Sequence, residues 1–199
     1  VAAHEIGHCF GLLHANFWDT GGASAIGPGG NQEYGDVFDI MGGGQGSIMG
    51  HHNAQAKSQI KWLPGEVVQT VTTSGTYRIY AFDQSLIDAT RRYALKIAKD
   101  VQRTYWGEVR TQFDAVNKWA ANGLILGWHW PLNLGSNIQL IDTTPASPGG
   151  KNDAPIVVGQ TFSDFEAGIH LTTVAVNTDA GERSVDVVVN LGRFPGNRA

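Results

Sequence analysis

HEIGHCFGLLH, residues 4–14, is the stretch on which the reading of the whole chain turns. On a helix, residues four apart differ by about 40° around the axis, so the imidazoles of His4 and His8 leave the same face. Glu5 projects about 60° beyond His8 on that side, within reach of a water held by the two rings. Gly11 lets the backbone turn out of the helix, and His14 can then approach from another direction. Three neutral imidazoles and one water form the open tetrahedral site of a catalytic zinc, with Glu5 as general base and His4, His8 and His14 as ligands. Cys9 points about 100° away from His8, which removes it as a fourth ligand and predicts a buried core thiol.

Outward from this stretch, residues 19–50 are dense in glycine, with GPGG at 27–30 and GGGQG at 42–46, and predict loop. Residues 53–63 (NAQAKSQIKWL) predict a second helix, stopped by Pro64-Gly65. Beyond Gly65 the hydrophobic period changes from 3.6 to 2. Strands are expected at 67–73, 76–82, 93–99, 104–110, 123–130, 137–141, 156–158, 169–176 and 185–189, with a short helix at 113–121. Short strands between turn signals favour a mostly antiparallel, sandwich-like unit. The expected fold class is therefore α+β, with a helix-and-loop domain at 1–64 and a β-rich domain at 65–199.

The motif and its surroundings resemble the metzincin zinc metallopeptidases, whose signature is H-E-x-x-H-x-x-G-x-x-H followed by a methionine turn under the metal. Among these the chain is most similar to the gametolysin-like (M11) peptidases. It carries Tyr34-Gly35-Asp36, Met41-Gly42, and an Asn53-Ala54 helix ending Lys61-Trp62-Leu63, where the family usually has glycine at position 61. The resemblance implies that residues 1–64 are the C-terminal part of a metzincin catalytic domain, comprising active-site helix, Met-turn and C-terminal helix. It also implies that Met41, or alternatively Met49 in Ser47-Ile48-Met49-Gly50, is the Met-turn residue. In several metzincins a tyrosine two positions after that Met stabilises the transition state. Position 43 is Gly here, leaving Tyr34, His51 and His52 as stand-ins, although the two histidines read most simply as exposed loop residues. Softer resemblances follow in Tyr105–Arg110, Leu140–Pro145 and Val158–Asp164.

Together these imply a secreted zinc endopeptidase acting on protein or extracellular-matrix substrates. Metzincins hold substrate along a sheet edge N-terminal to the metal helix. Val1–Ala3 leaves no space for one, so the 199-residue chain alone is expected to be weakly active or inactive for want of that N-terminal portion. The alternative is an accessory β-sandwich binding module attached to an inactive peptidase remnant, for which Trp106, Trp119, Trp128 and Trp130 would have to form an exposed patch. Asp142, Asp153 and Asp164 are candidates for a structural calcium. Glu108 and Arg110 share one face of a strand and suggest a solvated pair.

Composition limits the partners. Of 199 residues only 16% are charged, with a formal net charge of −4 and no basic stripe, which excludes ordinary nucleic-acid binding. No apolar run is long enough for a membrane helix. One cysteine excludes an intrachain disulfide.

Overall fold

A computed structural model describes residues 2–43, 50–84, 86–113, 118–131, 136–178 and 182–192. Helix α1 spans Ala2–Cys9 and α2 spans Ala54–Gln59. Twelve strands follow in chain order: β1 His14–Asp19, β2 Gly30–Gln32, β3 Val68–Thr70, β4 Gly75–Tyr80, β5 Ala94–Ala98, β6 Thr104–Glu108, β7 Gly123–His129, β8 Ser136–Leu140, β9 Ile156–Val157, β10 Thr161–Asp164, β11 Ile169–Asn177 and β12 Ser184–Leu191. The architecture is α+β with two sheets.

The larger sheet runs β2-β1-β8-β7-β6-β5-β3, with β9 added to β7, and the smaller runs β10-β11-β12-β4. The smaller sheet is antiparallel throughout. The larger one is mixed, because β1 pairs parallel with β8 and β3 parallel with β5. The β1–β8 pairing also means that one sheet draws strands from both sides of Pro64-Gly65, where the hydrophobic period changes.

Alternation along the strands of the larger sheet divides its side chains between two cores. Leu95, Ile97, Tyr105, Leu126 and Trp128 meet Ile79, Phe162, Leu171, Val185 and Val187 of the smaller sheet. Ala94, Trp106 and Ile138 face the other way, onto Met41, Ala54, Ala56 and Leu63. A sheet covered on both faces needs near-continuous apolar strands, which is why β7 (GLILGWH) is buried over six of its seven residues.

Three local expectations, on Glu108 and Arg110, on Cys9 and on His51 and His52, are corrected, and the alternative that needs an exposed tryptophan patch loses that support. Glu108 and Arg110 are not solvated: both are buried and form an ion pair of 3.0 Å. The tryptophans do not assemble into an exposed patch. Trp106 and Trp128 lie in the cores and Trp130 is half-buried, while Trp119 alone of the four is exposed. Cys9 is exposed, because α1 turns only His4 and Gly7 inward. His52 is buried and His51 half-buried against the Phe82 ring, since β-bridge pairing of His51 with Asp39 folds this segment under α1. The alternative Met49 and part of the expected 113–121 helix lie outside the described residues. At Lys118–Asn122 the chain forms a 3-10 turn.

The end of α2 accounts for the glycine expected at position 61. Lys61 has φ +66°, and Lys61 N–H and Trp62 N–H donate to the carbonyls of Ser58 and Lys57. This is a left-handed helix cap of the kind glycine adopts most readily.

Candidate metal centre

Helix α1 ends in the same kind of cap, and the cap delivers the third histidine. Gly11 has φ +79°; its N–H donates to the His8 carbonyl at 2.9 Å, and Leu12 N–H donates to the Gly7 carbonyl at 3.1 Å. The chain therefore reverses within two residues and enters β1 at His14. The ring of His14 comes to 5.1 Å from that of His8 and 5.5 Å from that of His4, centroid to centroid. His4 and His8, one turn apart, are 4.9 Å from each other.

Hydrogen bonds at the other ring nitrogen fix which atoms face the centre. His4 Nδ1 donates to the Ile40 carbonyl at 2.9 Å, His8 Nδ1 to the Leu12 carbonyl at 2.8 Å, and His14 Nδ1 to the Glu33 carboxylate at 2.7 Å. A carbonyl or carboxylate oxygen can only accept, so each Nδ1 carries a proton, and in the neutral ring this leaves the lone pair on Nε2. One ring nitrogen from each histidine lies within 4.8 Å of the others, a group able to hold a metal ion. Among the described residues it is the one cluster of three or more His, Cys, Asp or Glu that gathers in this way, and Cys9 is not part of it. Three neutral nitrogens with their outer N–H groups anchored are the donor set that a borderline-soft divalent cation prefers.

Glu5 stays exposed on α1, one residue after the first histidine. Tyr34 is brought to the triad, its ring 4.0 Å from that of His14 and 5.9 Å from that of His4. Its backbone lies beside Gly43, whose N–H donates to the Asp36 carbonyl at 2.6 Å. Tyr34 has φ +58°, a conformation uncommon for an aromatic residue, held by its N–H donating to the buried Asn16 Oδ1 at 3.0 Å. His51 and His52 are not in the cluster.

Met41 is fully buried directly under α1. An ideal Cβ at Gly7 would sit 2.4 Å from Met41 Sδ and 3.3 Å from His52 Cε1, so only glycine lets the helix approach its floor this closely. The floor is tied down by polar groups. Asp39 accepts from the N–H groups of Met41 and Asn53 and from the Asn53 side chain; Ala54 N–H donates to Glu108; and Arg110 donates to the Phe38 carbonyl at 2.7 Å. Burial, reinforced by the Asp39 charge, raises the pKa of Asp36 to about 8, and burial beside Lys57 lowers that of His51 to about 4. In both cases burial favours the neutral form.

Sequence reasoning missed Glu33 and the burial of Glu108 and Arg110. Glu33 lies 19 residues from His14 in a loop, and no local spacing links the two. The three carboxylates considered as candidate calcium ligands do not come together. Asp142 and Asp153 share the Thr144 hydroxyl, whereas Asp164 is engaged elsewhere with Lys99 and Tyr105, so the three carboxylates form no common oxygen cage.

Among the described residues no helix is long and apolar enough to cross a membrane. No family model, no curated protein and no solved structure matches the chain.

Proposed function

We propose that the chain carries the catalytic centre of a zinc-dependent endopeptidase, with His4, His8 and His14 as the ligands and Glu5 as the general base. The observation that carries this reading is the triad itself: each Nδ1 is already engaged, and no fourth His, Cys, Asp or Glu of the described residues joins the group. Structural zinc sites are closed by four protein ligands, whereas catalytic ones keep a position for water or substrate. Likeness to the metzincin pattern, with Met41 as the floor residue, supports the same assignment and the placing of the protein outside the cell.

When bound, zinc supplies Lewis acidity toward the scissile carbonyl and makes water a better nucleophile near neutral pH. The rest is the work of the chain's own groups. His4 and His8 are held by main-chain carbonyls and His14 by Glu33, so the donor set is oriented before any ion arrives. Glu5 takes a proton from the attacking water as its oxygen adds to the carbonyl carbon, then gives that proton to the amide nitrogen as the C–N bond breaks. The products are a carboxylic acid and an amine, and the acid's remaining proton passes to the amine, leaving a carboxylate and an ammonium group at neutral pH. Tyr34, exposed beside His14, is the phenol we assign as hydrogen-bond donor to the carbonyl oxygen as it gains charge.

The test is metal removal. Hydrolysis of an unstructured protein such as casein, expected to be weak in this chain alone, should disappear on dialysis against a strong chelator and return to its starting rate with one equivalent of zinc. Hydrolysis that persists in metal-free protein, or fails to return with zinc, would overturn the proposal.

A further inference from the structure

His14 differs from the other two ligands in what holds it. His4 and His8 donate to main-chain carbonyls, which are neutral and fixed by the fold. His14 donates to a side-chain carboxylate, and the 2.7 Å separation lies at the short end of charge-assisted hydrogen bonds. We propose that the negative charge of Glu33, beyond its capacity to accept a hydrogen bond, sets how strongly His14 holds the metal, making Glu33 a positioning residue of the centre. This rests on the reading of His14 as a ligand and deepens it.

The physical basis is polarisation. A carboxylate at Nδ1–H draws the proton toward itself and leaves more electron density at Nε2, raising the basicity of the ligating atom. Against this stands exposure: the Glu33 side chain is 60% accessible and His14 20%, so water competes for the carboxylate. Held loosely, such a pair would add little.

The backbone around Glu33 limits that freedom. Glu33 directly follows β2, whose Gln32 pairs with Phe17 of β1, three residues beyond His14. Tyr34 N–H is captured by Asn16 Oδ1, and Asn16 Nδ2 donates in turn to Asn31 Oδ1. Position 35 has no space for a side chain, since a Cβ there would come within 2.5 Å of Phe17 Cβ. The segment is thus fastened on both sides of Glu33, and the adjacent Tyr34 ring covers the face of His14 whose edge the carboxylate holds. Aromatic face and carboxylate edge together leave the imidazole one favoured pose.

The experiment is zinc affinity, measured by competition with a chelator of known strength, on the wild-type protein and on Glu33→Ala, Glu33→Gln and Glu66→Gln. Loss of a partner of this type weakens metal binding by about 10–100-fold. Glu33→Ala should fall in that range, and Glu33→Gln, which keeps an acceptor oxygen and loses only charge, should lie nearer to Ala than to wild type. Glu66→Gln, which removes the same charge from an exposed position outside the centre, should leave affinity unchanged. In ¹H–¹⁵N spectra of the zinc form, the His14 Nδ1–H proton should move upfield in Glu33→Gln while those of His4 and His8 stay in place. A Glu33→Gln protein that binds zinc as tightly as wild type, or equal shifts at all three histidines, overturns this proposal and leaves the triad intact. A wild-type protein that binds no zinc overturns both.

Discussion

Glu5→Gln is expected to bind zinc with wild-type stoichiometry and to hydrolyse peptide bonds about 10²–10⁴-fold more slowly, the range by which a positioned general base accelerates such reactions. Glutamine has nearly the shape of glutamate and similar helix propensity. Glu5 is exposed and outside the group of nitrogens that gathers the ion, so neither α1 nor the donor set should change. What disappears is the capacity to take a proton from water and return it to the leaving amine. The paired measurements are zinc content of the dialysed protein and initial rates on casein, with wild type and variant loaded identically. Full activity in Glu5→Gln would remove Glu5 from the mechanism, and loss of zinc would mean that it holds the metal.

Arg110→Ala should destabilise the protein by about 3–5 kcal/mol, the usual cost of stripping one partner from a buried ion pair. The guanidinium is 2% exposed, pairs with the buried Glu108 carboxylate and donates to the Phe38 carbonyl, three residues before the fully buried Met41. Its removal leaves the Glu108 carboxylate, whose pKa is already raised by burial, without its main counter-charge. The Ala54 N–H that starts α2 depends on the same carboxylate. The matching control is Arg78→Ala, which breaks an accessible pair with Asp186 between β4 and β12 and should cost only about 0–1 kcal/mol. Urea unfolding midpoints of the two variants check the contrast. Equal losses would mean that burial is not what gives the Glu108–Arg110 pair its importance. The effect should also reach the metal: with the floor loosened, α1 loses its contact with Met41, and zinc affinity should drop in Arg110→Ala alone.

These two variants divide along a line that also separates what the sequence disclosed from what it hid. The triad was legible because its determinants are local. A four-residue spacing, a left-handed glycine at position 11 and a third histidine three residues later all act within one turn and one reversal of chain. Strands β4, β11 and β12 of the smaller sheet and those of the central part of the larger one are legible for a similar reason, since burial on one or two faces writes itself into alternation or continuous apolar runs, whereas the short edge strand β10 (TFSD) carries too little apolar pattern to be expected. Strand β1 (HANFWD) was not recognised. It opens on His14, mixes polar and aromatic side chains, and forms through parallel pairing with a strand more than a hundred residues away. Strand β2 (GNQ) is exposed at all three positions and carries no hydrophobic signal.

Polarity misled for a physical reason at Glu108 and Arg110. A charged pair on a strand normally faces water. Here Ala54 and Phe38 approach from segments 54 and 72 residues away and hydrogen-bond one end of each charged group inside the fold, while the other ends pair with each other as ions. Glu33 is the same case closer to the histidine triad. Its role depends on Asn16, Gly35 and Tyr34 bending one loop back onto β1, and nothing at position 33 alone announces it.

X-ray absorption at the zinc edge of the protein loaded with one equivalent of metal tests the three-histidine assignment most directly. The predicted spectrum contains three imidazole nitrogens and one further light atom at about 2.0–2.1 Å, with no sulfur. Substitution of His14 by alanine should lower the imidazole count by one. A sulfur shell near 2.3 Å, which would place Cys9 on the metal, or a protein that retains no stoichiometric zinc, would contradict the assignment.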